Sequence, residues 1–181
     1  MVSEVTFGGE HSLRHFFEDL VWRHFFEDVR LEEADVARYV ARLLCDFSRI
    51  EQLYRLRNAS ERQIEDIGEM VIESNPLLEA ESFDREREVR KHVGDYALFM
   101  AGLFPEKIAR RQSRKSPQLE ALVDFVKVGK ESYSIVSSFD QFEYREEAPL
   151  FRRLSDNFEL CVMGLNLVRC DFDEFPVEGI S

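Results

Sequence analysis

The chain contains few of the residues that mark secreted, zinc-stapled or membrane-spanning proteins. Its three cysteines are odd in number, and no two of them form a Cys-x-x-Cys pair. This pattern argues against a disulfide framework and against a zinc ribbon. The sequence also lacks a signal-peptide pattern and any stretch approaching 18 consecutive apolar residues. We therefore expect a cytoplasmic protein that does not associate with a membrane.

Glycine, proline and positive charge are scarce as well. The formal net charge is −12, which disfavours a nucleic-acid partner because neutralisation of phosphates supplies most of the affinity for nucleic acids. No segment alternates polar and apolar residues with a period of two, so we predict no β-sheet. The composition favours an all-α protein. We predict a single domain over residues 1–181, an array or bundle of six to seven helices, with irregular ends at 1–10 and 171–181.

One helix, at about residues 84–104, is predicted to lie at the centre of this array. Its apolar residues follow one another at intervals of four and three, which places them on a single stripe of a helix. They are Val89, Val93, Tyr96, Met100 and Leu103. The opposite side is also uncharged from Gly94 onward, and a helix that is apolar all round must be enclosed by others. Ser82 or Asp84 is the expected N-terminal cap.

Small residues on this helix allow two interpretations. Gly94, Ala97 and Ala101 can let a neighbouring helix approach closely, or they can leave room for a flat apolar ligand. We favour close packing, because buried small residues usually mark contact between elements. The ligand alternative predicts an apolar pocket beside these three residues, occupied by an unknown ligand or cofactor.

His92 would provide polar lining for such a pocket, together with Tyr96. Glu88 precedes the histidine by four residues and Asp95 follows it by three, so both carboxylates can reach the same helical face. Either could orient the imidazole or raise its pKa. A histidine bonded to a carboxylate at the edge of a core is the simpler interpretation of the same spacing.

Near the amino terminus, the hexapeptide RHFFED begins at Arg14 and again at Arg23. On a continuous α-helix, a spacing of nine residues would direct the two phenylalanine pairs to opposite sides. The helix is then buried on both faces, breaks near Trp22, or presents one pair at a subunit interface. Clustered exposed aromatic residues mark contact surfaces, so we predict an interface that contains Trp22, Phe25 and Phe26.

Two further candidate sites are weaker. His11, His15 and Glu18 share one helical face and could bind a divalent transition metal, although a solvated face explains the same spacing. One segment is strongly basic within the acidic chain, and its residues are Lys107, Arg110, Arg111, Arg114 and Lys115. It could bind a phosphate-bearing ligand or an acidic partner, contact the acidic carboxyl-terminal segment that contains Asp171, or form a solvated loop.

Several catalytic motifs are missing from the sequence, including Glu-x-x-His, His-Glu-x-x-His and Gly-x-Ser-x-Gly. We therefore expect a non-enzymatic interaction protein that associates with itself and can bind a protein partner. The first alternative is a small-molecule binding or sensor protein that uses the pocket beside the central helix. The second is a metal-dependent enzyme built on the two histidines and the glutamate near the amino terminus.

Overall fold

The computed structural model describes residues 9–48, 82–106, 108 and 118–174 of the chain. Within these ranges all regular structure is helical, which confirms the predicted all-α class. Six α-helices pack against one another: α1 (Gly9–Arg23), α2 (Ala34–Ser48), α3 (Phe83–Leu103), α4 (Gln118–Ser138), α5 (Ala148–Asp156) and α6 (Phe158–Glu174). None of these six is both long enough and apolar enough to cross a lipid bilayer.

The helices extend further at both ends than predicted. Helix α1 begins at Gly9 and α6 continues to Glu174, so parts of the segments 1–10 and 171–181 that we expected to be irregular are helical. The segment from Ala148 to Glu174 forms two helices, α5 and α6, which are separated by Asn157 alone. The side chain of Asn157 donates a hydrogen bond to the Arg153 carbonyl at 2.9 Å, and in this way it satisfies a carbonyl at the end of α5.

Helix α3 occupies the centre of the array, as the pattern of apolar residues predicts. Every residue from Val93 to Leu103 is buried, and α3 packs against α2, α4 and α6. The helix begins after Ser82, whose hydroxyl accepts a hydrogen bond from the Arg85 backbone amide at 3.2 Å. Ser82 is therefore the N-terminal cap, one of the two residues predicted for that role.

Glycines lie where two helices come closest. A Cβ atom added to Gly94 would lie 2.6 Å from the Tyr133 ring of α4, and one added to Gly102 would lie 2.5 Å from Leu165 of α6. Real Cβ atoms do not approach other atoms so closely. The two glycines therefore permit α4 and α6 to pack directly against the backbone of α3.

After α1 the chain forms a π-helix from His24 to Asp28. The amide of Val29 donates to the His24 carbonyl at 2.9 Å, a bond across five residues. A π-turn contains more residues per turn than an α-helix, so it shifts the faces on which the following side chains lie. Phe17 and Phe25 both reach the core, where they are 7% and 0% exposed, and with the buried Val21 between them they follow one another at intervals of four. Three outcomes were considered for the RHFFED repeat. The change from α-helix to π-helix after Arg23 most resembles the second of them, a break near Trp22.

We expect Gly94→Ala to destabilise the protein by about 1–2 kcal/mol. The better helix propensity of alanine, about 1 kcal/mol, is outweighed by an overpacking cost of about 2–3 kcal/mol, in the upper part of the usual range because the added Cβ would lie 2.6 Å from the Tyr133 ring. Tyr133 cannot move aside without losing its hydrogen bond to Asp95. Chemical denaturation followed by circular dichroism measures the change, with the exposed Glu131→Ala on α4 as control. A Gly94→Ala protein as stable as the wild type would contradict the packing described for α3 and α4.

Candidate functional site

The carboxylate of Asp95 lies at the junction of three helices. Asp95 is on α3 and is only 8% exposed. Tyr39 of α2 and Tyr133 of α4 both donate hydrogen bonds to its Oδ1 atom, at 2.6 and 2.7 Å. Lys91, one turn earlier on α3, donates to Oδ2 at 3.3 Å. Both carboxylate oxygens are therefore bound by groups of the chain itself.

Burial, followed by the nearby charge of Asp95, raises the pKa of Tyr39 and of Tyr133 well above the usual tyrosine value. Both phenols therefore keep their protons at neutral pH and act as donors. The ammonium group of Lys91 also lies 5.5 Å from the centre of the Tyr39 ring, a favourable cation–π distance. The cluster therefore connects α2, α3 and α4, because the three donors that compensate its buried charge come from these helices.

The described part of the structure shows side chains packed against several residues of the predicted pocket. The Tyr133 ring covers Gly94, so the region proposed for a flat ligand is filled there by a side chain. Ala97 and Ala101 are completely buried, and Tyr96 packs against Phe125 with 6.3 Å between ring centres. The close-packing interpretation fits this geometry, since other helices occupy this side of α3.

Glu88 and Asp95 do not hold His92 as expected. Glu88 is exposed and faces Arg85, with 3.7 Å between the charged atoms. The Nε2 atom of His92 is buried and has no hydrogen-bond partner in the described part of the chain. Burial lowers the pKa of His92, and the opposing charge of Asp95 does not compensate for it. The prediction of a raised pKa is therefore corrected. The imidazole stacks on Phe47 with 6.2 Å between ring centres.

A groove of about 530 Å³ lies between α1 and α2, and we call it the Trp22 groove. Trp22, the only tryptophan of the chain, is 41% exposed and stacks on Phe26 with 4.5 Å between ring centres. Two buried alanines, Ala37 and Ala41, lie one turn apart on the opposite wall. The remaining lining residues are Glu18, Asp19, Arg23, Glu27 and Arg38.

Of the three predicted interface residues, Phe25 does not belong to this surface. It is completely buried, and its ring lies directly against Gly164 of α6. Helical spacing explains the difference, because Phe25 follows the buried Val21 by four residues, whereas Phe26 follows Trp22 by four residues and stacks on it. The prediction of Phe25 as an interface residue is therefore wrong, whereas Trp22 lines the groove and Phe26 lies against its ring.

Sequence reasoning missed a cluster around His24, the first residue of the π-helix. This imidazole is 7% exposed. Its Nδ1 atom lies 2.6 Å from Asp28 and its Nε2 atom lies 2.7 Å from Asp171 of α6, which also pairs with Arg23. Carboxylates accept hydrogen bonds, so each ring nitrogen of His24 faces an acceptor. The His24–Asp28 spacing of four was a usable signal, but nothing in the local sequence indicated Asp171.

The hydrogen bond from His24, and then the charges of His24 and Arg23, lower the pKa of Asp171. Asp171 was expected either in an irregular tail or in contact with the basic segment. It lies instead in α6 and is bound by two residues from the end of α1 and the start of the π-helix.

The proposed metal ligands share helix α1. His15 Nδ1 lies 3.4 Å from Glu18, and Glu18 also accepts a hydrogen bond from Arg14 at 2.9 Å. The side chain of His11 is outside the described residues. Among the side chains that are described, no group of three histidine, cysteine, aspartate or glutamate residues is arranged to hold a metal ion.

The predicted basic patch also lies outside the described residues. Its members are Lys107, Arg110, Arg111, Arg114 and Lys115.

Comparisons with protein-family models, with curated proteins and with solved structures found no match to this chain. We therefore infer a function from the described surface of the chain alone.

We expect Tyr133→Phe to lower the free energy of unfolding by about 1–3 kcal/mol, because it removes one of the two phenol donors to a buried carboxylate. Tyr144→Phe is the matched control: its hydroxyl donates at 2.9 Å to Asp84 in an exposed position, so its loss should cost much less. Urea denaturation at pH 7 compares the two variants. Equal losses would show that Asp95 does not depend on its buried donor.

The lowered pKa of His92 predicts a dependence of stability on pH. The unfolded state binds the proton more readily than the folded state, so stability falls as the pH decreases below the ordinary histidine value of 6.5. His92→Phe keeps an aromatic ring beside Phe47 and should reduce the loss of stability between pH 7.5 and 5.5. Replacement of the exposed His15 by phenylalanine is the control and should leave the loss nearly unchanged. An identical pH dependence for His92→Phe and the wild type would contradict the assignment.

Proposed function

We propose that this chain is a non-enzymatic interaction protein that associates with itself through the Trp22 groove. The observation that carries the proposal is the position of Trp22. Its ring remains 41% exposed beside a groove of about 530 Å³ although the fold offers a packed core close by. Tryptophan is among the residues that contribute most to binding energy when a partner covers them.

The groove has the composition expected of a contact surface. Its centre is apolar, with Trp22, Ala37 and Ala41, and its edges carry charged side chains of both signs. Protein interfaces commonly combine an apolar centre with a polar rim. Because the side chains of Ala37 and Ala41 are small, the groove is deep enough to hold a side chain of the partner.

Trp22 is also held in place before any partner binds. The planes of its ring and of Phe26 differ by only 19°, and the two rings are stacked. An aromatic side chain that is already ordered loses little conformational entropy on binding, so more of the contact energy becomes affinity. Phe26 therefore supports Trp22 from within the same helical segment.

Two expectations from the sequence bear on the proposal: the cytoplasm as the compartment, which is kept, and the small-molecule alternative, whose possible location is restricted. The cysteine content is the argument for the cytoplasm as the compartment. The small-molecule alternative would need a location other than Gly94, because the Tyr133 ring covers that residue.

The proposal is tested by light scattering coupled to size-exclusion chromatography over a range of concentrations. The chain has a mass of 21.3 kDa, and we expect the measured mass to rise toward twice that value as the concentration increases. Trp22→Ala should shift the dissociation constant upward by about 30-fold or more, in line with the loss of about 2 kcal/mol typical of an interface anchor. A wild-type protein that remains at 21.3 kDa at all concentrations would refute self-association.

Phe83→Ala is the control for this experiment. Phe83 is also aromatic and is 74% exposed, but it lies at the start of α3 and does not line the groove. Its replacement should leave the dissociation constant unchanged. Equal effects of the two substitutions would show that general surface hydrophobicity, rather than the groove, drives the association.

A further inference from the structure

The two walls of the Trp22 groove differ in the sign of the charges that no ion pair occupies. On the side of α1 and the π-helix lie Asp19 and Glu27, together with Glu18, which is already paired with Arg14, and Arg23, which is already paired with Asp171. On the α2 side lies Arg38. Within the described ranges, no ion pair is formed by Asp19, Glu27 or Arg38, and Arg38 is exposed.

This distribution of charge restricts how two copies can face each other. Most dimers have a twofold axis, and the same patch of each copy then forms the contact. If the axis runs across the groove, the acidic wall of one copy faces the acidic wall of the other. If the axis runs along the groove, the acidic wall of each copy faces the α2 wall of the other. Only the second arrangement brings opposite charges together.

We propose that the occupant of the groove is a second copy of this chain, related to the first by a twofold axis that runs along the groove. In this arrangement Arg38 of each copy lies opposite Asp19 and Glu27 of the partner. The two Trp22 rings lie near the axis between these charged rows. This inference rests on the proposed self-association and adds its orientation and its specificity-determining residues.

The charge of the whole chain makes these contacts decisive. Each copy has a formal net charge of −12, so two copies repel each other in every orientation. Charged groups across an interface contribute mainly by selecting the correct arrangement and penalising others. An orientation in which two acidic walls face each other increases this repulsion and is disfavoured. The orientation that pairs Arg38 with carboxylates reduces the repulsion at the contact.

Two charge-reversed proteins test the orientation. Arg38→Glu places a carboxylate opposite the partner's acidic wall, and the double variant Asp19→Lys with Glu27→Lys places ammonium groups opposite the partner's Arg38. Each protein alone should therefore dimerise about tenfold or more weakly than the wild type. When the two are mixed, every cross-contact is again between opposite charges. The mixture should recover a dissociation constant close to that of the wild type.

Matched controls keep the change in net charge but lie outside the groove. Arg145→Glu changes the net charge in the same sense as Arg38→Glu, and the double variant Glu143→Lys with Glu146→Lys matches the other protein. All three control residues are exposed. These controls should dimerise as the wild type does, alone and in mixture. Circular dichroism melting establishes that each variant is folded before its mass is measured.

The fluorescence of the single tryptophan provides a second readout at the site itself. Dimerisation through the groove should shift the Trp22 emission to shorter wavelength as the ring loses contact with water, and the mixture of the two reversed proteins should restore this shift. Weakening by both reversals without recovery in the mixture would overturn the proposed orientation. So would an unchanged affinity of Arg38→Glu.

Failure of this inference is distinguishable from failure of the proposed function. If the wild type dimerises and Trp22→Ala weakens the dimer, while Arg38→Glu has no effect, the groove remains the interface and the orientation is refuted. If the wild type is a monomer at every concentration, both proposals are refuted together.

Discussion

The structure depends on one buried carboxylate. Removing Asp95 from water is unfavourable unless donors replace the lost hydration, and here the donors come from two other helices, through Tyr39 and Tyr133. The helices α2, α3 and α4 are therefore fixed relative to one another by the need to satisfy one charge. The same Tyr133 ring covers Gly94, so the hydrogen bond and the close approach of the helices depend on each other.

This rigid centre is separate from the surface that we propose for binding. Helix α2 contributes to both: Tyr39 contacts the buried carboxylate, while Ala37, Arg38 and Ala41 face the groove. The carboxylate network therefore determines the position of one wall of the groove. The other wall follows from helical spacing, because Phe25 lies four residues after the buried Val21, and Phe26 lies four residues after Trp22 and stacks on it. π-Helical turns are often found at functional sites, and here the π-helix begins two residues after Trp22.

The features that depend on local spacing could be predicted, and those that depend on distant residues could not. The burial of α3 follows from the repetition of apolar residues within about 20 positions, and its cap from Ser82. Asp95 was assigned to His92 because only neighbours along the helix are visible in a sequence. Its two tyrosine donors are 56 and 38 residues away. Trp22 and Phe26 could be named from their clustering, but clustering alone did not separate Phe25 from them; the intervals of four between Phe17, Val21 and Phe25 were the usable signal for its burial. Arg38, Ala37 and Ala41 became visible only when α2 was placed beside α1.

The contact of His24 and Arg23 with Asp171 has a consequence for how the molecule comes apart. It joins the first helical segment to the last described helix, at a separation of 147 residues along the chain for His24 and Asp171. Terminal helices of helical arrays commonly fray independently, since each has one uncovered side and few distant contacts. Here neither α1 nor α6 can detach without breaking its contacts with the other segment. We therefore expect these two parts of the fold to unfold together rather than one after the other.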